Sequence, residues 1–180
     1  MKNFIKIFVV LFHKVYKQKL KKYLQLYCKG KILDIGCGDL CLTNTTKLDI
    51  RSVESADIVG DAEFLPFKNK TFDTTVVSDV LHHCKNIDNK IDEIKRVTKK
   101  RIIIKDHCFY SKLSFFIICF CDWITNFIYH IKCNYNFLSR QQWYKLFKEN
   151  NLNLIEEPKK LNFGFFLNER YNPIFILKIE

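Results

Sequence analysis

Glycine and proline are scarce: the 180-residue chain has 5 of one and 3 of the other. That leaves little room for disordered linkers, and no low-complexity run or internal repeat is visible. Zinc-type cysteine spacing is missing too. The 8 cysteines (Cys28, Cys37, Cys41, Cys84, Cys108, Cys119, Cys121 and Cys133) include no C-x-x-C pair. Free thiols in a reducing, cytoplasmic setting are expected. There is no membrane-length apolar run. The stretch from Phe4 to Phe12 is broken by Lys6 and falls short of the ~20 apolar residues that span a bilayer. No small-residue cleavage site follows it, which argues against a signal peptide. Acidic residues are in deficit, 19 against 30 Lys and Arg, for a formal net charge of +11. Such a surplus favours acidic partners, nucleic acid or anionic lipid, although lysines solvated on any surface give the same count.

What is present is apolar bulk. Hydrophobic residues make up 48% of the chain, enough for one domain with a single core. Phe8, Phe12, Val15, Tyr16, Leu20, Tyr23, Leu24 and Tyr27 recur at helical spacing, so residues 1–30 are expected to form an amphipathic helix. It either packs on the domain or lies on a membrane surface. Strand and helix signals then alternate. Strands are expected over residues 31–34, 47–50, 56–59, 72–78 and 101–105. Ile87, Ile91, Ile94 and Val97 mark a helix with Asp88 at its N-cap. Alternation of this kind implies an α/β fold with a mainly parallel sheet and helices on both faces.

After His107 the pattern changes to an aromatic-rich helical segment, within residues 109–138. Asp122 and Asn126 interrupt it, against a membrane span. Ser139-Arg140-Gln141-Gln142 reads as a capping box opening a helix with Trp143, Leu146 and Phe147 on one face. Asn150-Asn151 can end it through a left-handed residue. Residues 152–155 and 174–179 are the last two strands.

Chemistry concentrates at Lys31-Ile32-Leu33-Asp34-Ile35-Gly36-Cys37-Gly38-Asp39. A buried strand ends in a carboxylate and opens into a glycine turn that lets a ligand touch the backbone. In open α/β sheets, ligands bind outside the carboxyl ends of strands. With Leu48-Asp49-Ile50, Gly60-Asp61-Ala62-Glu63-Phe64-Leu65-Pro66-Phe67, Phe72-Asp73, Ser78-Asp79-Val80-Leu81-His82-His83 and Glu93-Ile94-Lys95-Arg96-Val97, in that order, the chain resembles the class I S-adenosylmethionine-dependent methyltransferases of the type 11 group.

The resemblance implies a Rossmann-like, doubly wound, seven-stranded sheet with its last strand antiparallel and a helical insert after the fifth strand. It implies S-adenosyl-L-methionine as cofactor. Asp34, Gly36, Cys37 and Gly38 would meet its amino-acid part and Asp49 the ribose hydroxyls. Asp61 and Ala62 would meet the adenine, walled by Leu65-Pro66-Phe67, and Ser78 would line the reacting end.

Methyl transfer mainly needs donor and acceptor aligned. A base is needed only if the acceptor loses a proton. His83, His107 and Asp106 are the catalytic candidates, His82 being expected to point away from the pocket if His83 faces it. Asp122, Asn126, Tyr135 and Asn136, polar residues in an aromatic setting, are candidates for a substrate pocket. A metal site from His82, His83, Asp106 and His107 lacks regular ligand spacing, and none is expected.

Two departures stand out. Leu40 replaces the third glycine of the first motif. Only eleven steps separate Gly38 from Asp49, so any helix between them is short, and Glu54 and Asp57 are fallbacks for the ribose acid. The leading reading is a cytoplasmic methyltransferase acting on a small-molecule or lipid-like acceptor, with peripheral membrane contact through the N-terminal helix. An RNA methyltransferase is the alternative that the charge suggests; steep salt dependence would mark it. A non-catalytic partner that keeps the fold is the third.

Overall fold

Apolar residues alternate along the central strands, and the alternation builds two cores, one on each side of a single sheet. The computed structural model describes residues 2–38, 42–128, 134–158 and 170–180. In chain order its elements are α1 (Lys2–Gln25), β1 (Ile32–Ile35), β2 (Thr46–Asp49), β3 (Ile58–Val59), β4 (Phe72–Ser78), α2 (Ile87–Val97), β5 (Thr98–Lys105), β6 (Cys108–Phe109), α3 (Lys112–Ile128), β7 (Leu138–Ser139), α4 (Arg140–Glu149), β8 (Leu152–Glu156) and β9 (Ile174–Ile179). Seven strands form the main sheet in the order β3-β2-β1-β4-β5-β9-β8. β9 alone runs antiparallel, to both β5 and β8. The doubly wound architecture expected from the sequence is thus the one observed.

Leu33, Ile35, Val77, Ile102, Ile104, Phe175 and Leu177 point to one side, where Ile91, Ile94 and Val97 of α2 and Trp143, Leu146 and Phe147 of α4 cover them. Ile32, Val76, Ile103, Ile174 and Ile176 point to the other, where Tyr16, Leu20 and Leu24 of α1 cover them. α1 therefore packs on the domain over its described side chains. Between β1 and β2 the described residues hold no helix, and α1 covers the Ile32 side of β1. No helix among the described residues is long and apolar enough to cross a membrane.

Local signals mostly hold. Ser139 accepts from Gln142 N–H while the Gln142 side chain returns to the Ser139 N–H, completing the capping box. Asn151 has φ 51°, the left-handed stop expected after α4. The N-cap of α2 is a correction. Asn86 caps it, accepting from Asn89 N–H, and Asp88 lies inside the first turn.

Candidate functional site

β1, β4 and β5 are parallel, so their carboxyl ends share one edge of the sheet, and the expected site residues gather along it. Gly36 has φ +70° and Gly38 φ +55°. A Cβ on Gly36 would stand 2.1 Å from Val80 Cγ2, so the turn closes only around glycine. Asp34 is buried on the α1 side, and its Oδ2 accepts from Leu42 N–H at 2.9 Å. Burial pushes its carboxyl up to about 6, against the pull of the Leu42 N–H and of Lys17, Lys21 and Lys47. Asp49 is buried too. Its Oδ2 accepts from Gly38 N–H at 2.9 Å, and its Oδ1 from the Arg51 backbone N–H (2.9 Å) and Nε (3.3 Å). It therefore ties the glycine turn to β2. Ser55 Oγ donates to the Gly38 carbonyl and holds the turn from the other side.

A cleft lies over this turn, lined by Lys17, Lys21 and Leu24 of α1 and by Asp34, Gly36, Cys37 and Ser78. Its volume is about 30 Å³. Lys17 Nζ reaches across to Asp79 Oδ2 at 2.9 Å. Lys105, 1% exposed, donates to the other Asp79 oxygen and to Asn172 Oδ1. Asp79 itself is held in the left-handed region at φ 56°. Burial opposes its charge, but Lys105 and Lys17 outweigh that and hold its carboxyl well below the usual range.

Asp61 and Ala62 follow β3. Asp61 accepts from Glu63 N–H at 3.0 Å and pairs with Lys90 of α2 at 2.5 Å, while Ala62 is buried. Leu65 and Phe67 turn into the α2-side core instead of an open pocket. Arg96 donates to both their carbonyls, and Phe67 packs edge-on against Phe72 with ring centres 4.9 Å apart.

At the ends of β4 and β5 a histidine cluster forms. His82 and His83 lie in a single 3₁₀ turn, Leu81–His83, where the expected extended chain would have sent them apart. Their rings are instead 4.0 Å apart, and His107 stands 5.0 Å from His82. Asp106 is wholly buried and accepts from Leu81 N–H, His82 N–H, His82 Nδ1 (2.5 Å) and His107 N–H. Burial disfavours a charged His82, but Asp106, with Asp122 behind it, prevails and pushes its pKa up to about 10. Burial, then the Lys105 and His82 charges, hold His107 down to about 4. His83 is lowered by burial and by His82.

The insert reaches this cluster. Asp122 Oδ1 is 3.6 Å from His82 Nε2, and Asn126 Nδ2 donates to the same oxygen at 2.6 Å. Asn136 Nδ2 donates to the Cys84 carbonyl and its N–H to the His82 carbonyl, while Asn134 donates to the His83 carbonyl. These bonds strap the 3₁₀ turn from outside. Tyr135 takes φ 54° between them. Asp122 and Asn126 are thus joined to the histidines, Asn136 serves the strap, and Leu40 lies outside the described residues. Lys17, Asp79 and Lys105 were not singled out by the sequence. Asp79 stands inside the Ser78–His83 motif, which is the signal that could have drawn attention to it.

Residues 33–104 match the family model of a methyltransferase domain. An uncharacterised protein of Methanocaldococcus jannaschii is 36% identical over 49% of this chain and 43% of its own length. The mitochondrial arginine-hydroxylase NDUFAF5 of Mus musculus is 36% identical over 39% of this chain and 20% of its own. The chain thus spans less than half the length of these curated relatives. Among solved structures, 1,6-didemethyltoxoflavin-N1-methyltransferase of Burkholderia thailandensis superposes with TM-score 0.65 at 10% identity, covering 97% of this chain and 86% of that one. That structure contains 1,6-didemethyltoxoflavin and S-adenosylhomocysteine. The PH0226 protein of Pyrococcus horikoshii gives 0.64 at 18% identity, covering 93% and 91%.

Proposed function

With residues 33–104 belonging to the methyltransferase-domain family of type 11, on the class I fold, we propose that the chain transfers a methyl group from S-adenosylmethionine to a small-molecule or lipid-like acceptor. The observation that carries this reading is a buried carboxylate beside a Cβ-free turn at the carboxyl edge of the sheet. Asp34 offers an anion to the ammonium of an amino acid. Its Oδ2 is committed to Leu42, and Oδ1 takes no hydrogen bond among the described residues. Gly36 and Gly38, both at positive φ, shape the turn beside it.

The residues fit the cofactor in chemistry, and in volume only after adjustment. With α1 seated, the cleft is small, about 30 Å³. Lys17 and Lys21 are long side chains on its rim, and binding requires them to swing aside. Asp49 already holds Gly38 and Arg51, which uses three of its roughly four acceptor sites. A ribose role for it requires the Arg51 side chain to yield.

The bound cofactor supplies a positively charged sulfonium methyl. What this chain's residues do is align the acceptor and exclude water. His82, His83 and His107 gather where β4 and β5 end, under Phe137, whose ring lies 5.1 Å from His82 and 5.4 Å from His107. Leu113, Phe116, Phe120, Trp123 and Phe127 form an exposed apolar stripe along α3, beside the buried Asp122 and Asn126. An apolar stripe next to a polar cluster supports an acceptor with an apolar body and a polar head.

Calorimetric titration of the folded protein with S-adenosylmethionine tests the reading. Saturable heat that Asp34→Ala abolishes is expected. Absence of binding up to ~1 mM, weaker than about −4 kcal/mol, in a protein of native circular dichroism would overturn it.

A further inference from the structure

Three ligating side chains converge at the ends of β4 and β5 with no part in holding a methyl donor. One donor atom from each of His82, His83 and Asp122 lies within 4.8 Å of the others. The state of His82 is set by its neighbour. Asp106 Oδ1 sits 2.5 Å from Nδ1, and an ionised carboxylate can only accept, so Nδ1 carries hydrogen. The second nitrogen, Nε2, faces Asp122 Oδ1 at 3.6 Å, and a cation bound between them would displace the hydrogen that Nε2 carries. Carboxylate-to-histidine bonds of this kind fix the tautomer of metal-ligating imidazoles.

Two further observations point to a ligand. His82 Nε2 and His83 Nδ1 are buried and find no hydrogen-bond partner among the described residues. His82 is only 2% exposed, so water does not compensate it. The carboxylate is braced as ligands are: Asn126 Nδ2 donates to Asp122 Oδ1 at 2.6 Å.

We infer that His82, His83 and Asp122 form a binding site for a divalent first-row transition-metal ion. Two imidazole nitrogens and one carboxylate suit Zn²⁺, Co²⁺, Fe²⁺ or Mn²⁺ better than the all-oxygen sites of Ca²⁺ and Mg²⁺. Three protein donors leave a coordination position open, as catalytic sites do and structural sites do not. Tetrahedral bonds of ~2.0–2.1 Å place donors about 3.3 Å apart. The His82–Asp122 separation of 3.6 Å is close to that already. The widest gap, at most 4.8 Å, closes by rotation of His83, which is only half-buried. Asp106 and Asp122 together carry two negative charges, matching a dication on neutral imidazoles. The sequence pattern concealed the site because its third ligand comes from the insert, far along the chain from the histidine pair.

The test uses the full chain stripped with a chelator, then titrated with Co²⁺ alone and followed by visible d–d absorption, with Zn²⁺ as competitor. It needs no cofactor and no turnover, so it stands apart from the methyl-transfer reading. One ion per chain is expected, displaced by Zn²⁺, without thiolate charge-transfer bands. Asp122→Asn and His83→Gln should each weaken binding at least tenfold, Asn126→Ala about tenfold, and Cys121→Ser not at all. If Asp122→Asn fails to fold, the half-buried His83 position carries the test. No bound Co²⁺ or Zn²⁺ at ~100 μM, a ceiling near −5.5 kcal/mol, in folded wild-type protein overturns the inference. So do thiolate bands, or binding unchanged in His83→Gln.

Discussion

Replacing Asp34 by asparagine should make the protein more stable at neutral pH while costing it the proposed cofactor. Asp34 is 5% exposed, and burial raises its carboxyl from the ordinary 3.8 to about 6. The folded state therefore holds a proton that the unfolded chain has already released between pH 4 and 6. On this group's account stability is full below pH 4 and is lost as pH rises through 6. Two pH units correspond to about 3 kcal/mol. Asparagine keeps an oxygen for Leu42 N–H and has no charge to desolvate. Urea denaturation of both proteins at pH 4 and pH 7.5 reads the difference. The variant should gain on wild type by about 2–3 kcal/mol between the two pH values. Equal differences at both would refute the buried-carboxylate argument. Wild-type affinity for S-adenosylmethionine, resting on the ionised form, should fall about tenfold per pH unit below 6, and that slope should vanish in Asp34→Asn.

The Lys17–Asp79–Lys105 network should tolerate loss badly. Lys105→Met leaves the half-buried Asp79 with only Lys17, and a loss of about 2 kcal/mol in urea titrations is expected. Ser139→Ala removes one half of the α4 capping box and should cost about 1 kcal/mol by the same assay. Among the described cysteines, thiol labelling under native conditions should reach the exposed Cys121 first. Cys84, buried and with its thiol pushed up to about 12, should react only after denaturation.

The strands of the sheet were legible because each carries a local signature. Phe72–Ser78 is a β-branched run bounded by turn residues, and it is a strand over those same residues. The fifth strand begins at Thr98 and not at Arg101, since Thr98, Lys99 and Lys100 look like surface in sequence, yet Thr98 pairs with Phe72 and the register resumes at Arg101 after an irregularity. The glycine turn and the order of motifs pointed to the methyltransferase domain, and the family match over residues 33–104 bears that out. What the sequence did not display were relations between distant segments. Nothing near His82 announces Asp122, and nothing in Lys17 announces Asp79. Extended chain would send His82 and His83 apart, and a 3₁₀ turn, clamped by Asn134 and Asn136, brings them together.

The position of α1 bears on where this protein can be cut. Family likeness begins at residue 33, after α1 has ended at Gln25. Yet Tyr16, Leu20 and Leu24 are what keep water off Ile32, Val76, Ile103, Ile174 and Ile176. Removing α1 alone would strip one whole side of the sheet and bare Ile32, Val76, Ile103, Ile174 and Ile176 with an unsheltered Asp34 among them. The point where family likeness starts is therefore not a place to begin the chain, and a chain started at Lys31 should aggregate in larger proportion on expression than the 180-residue chain.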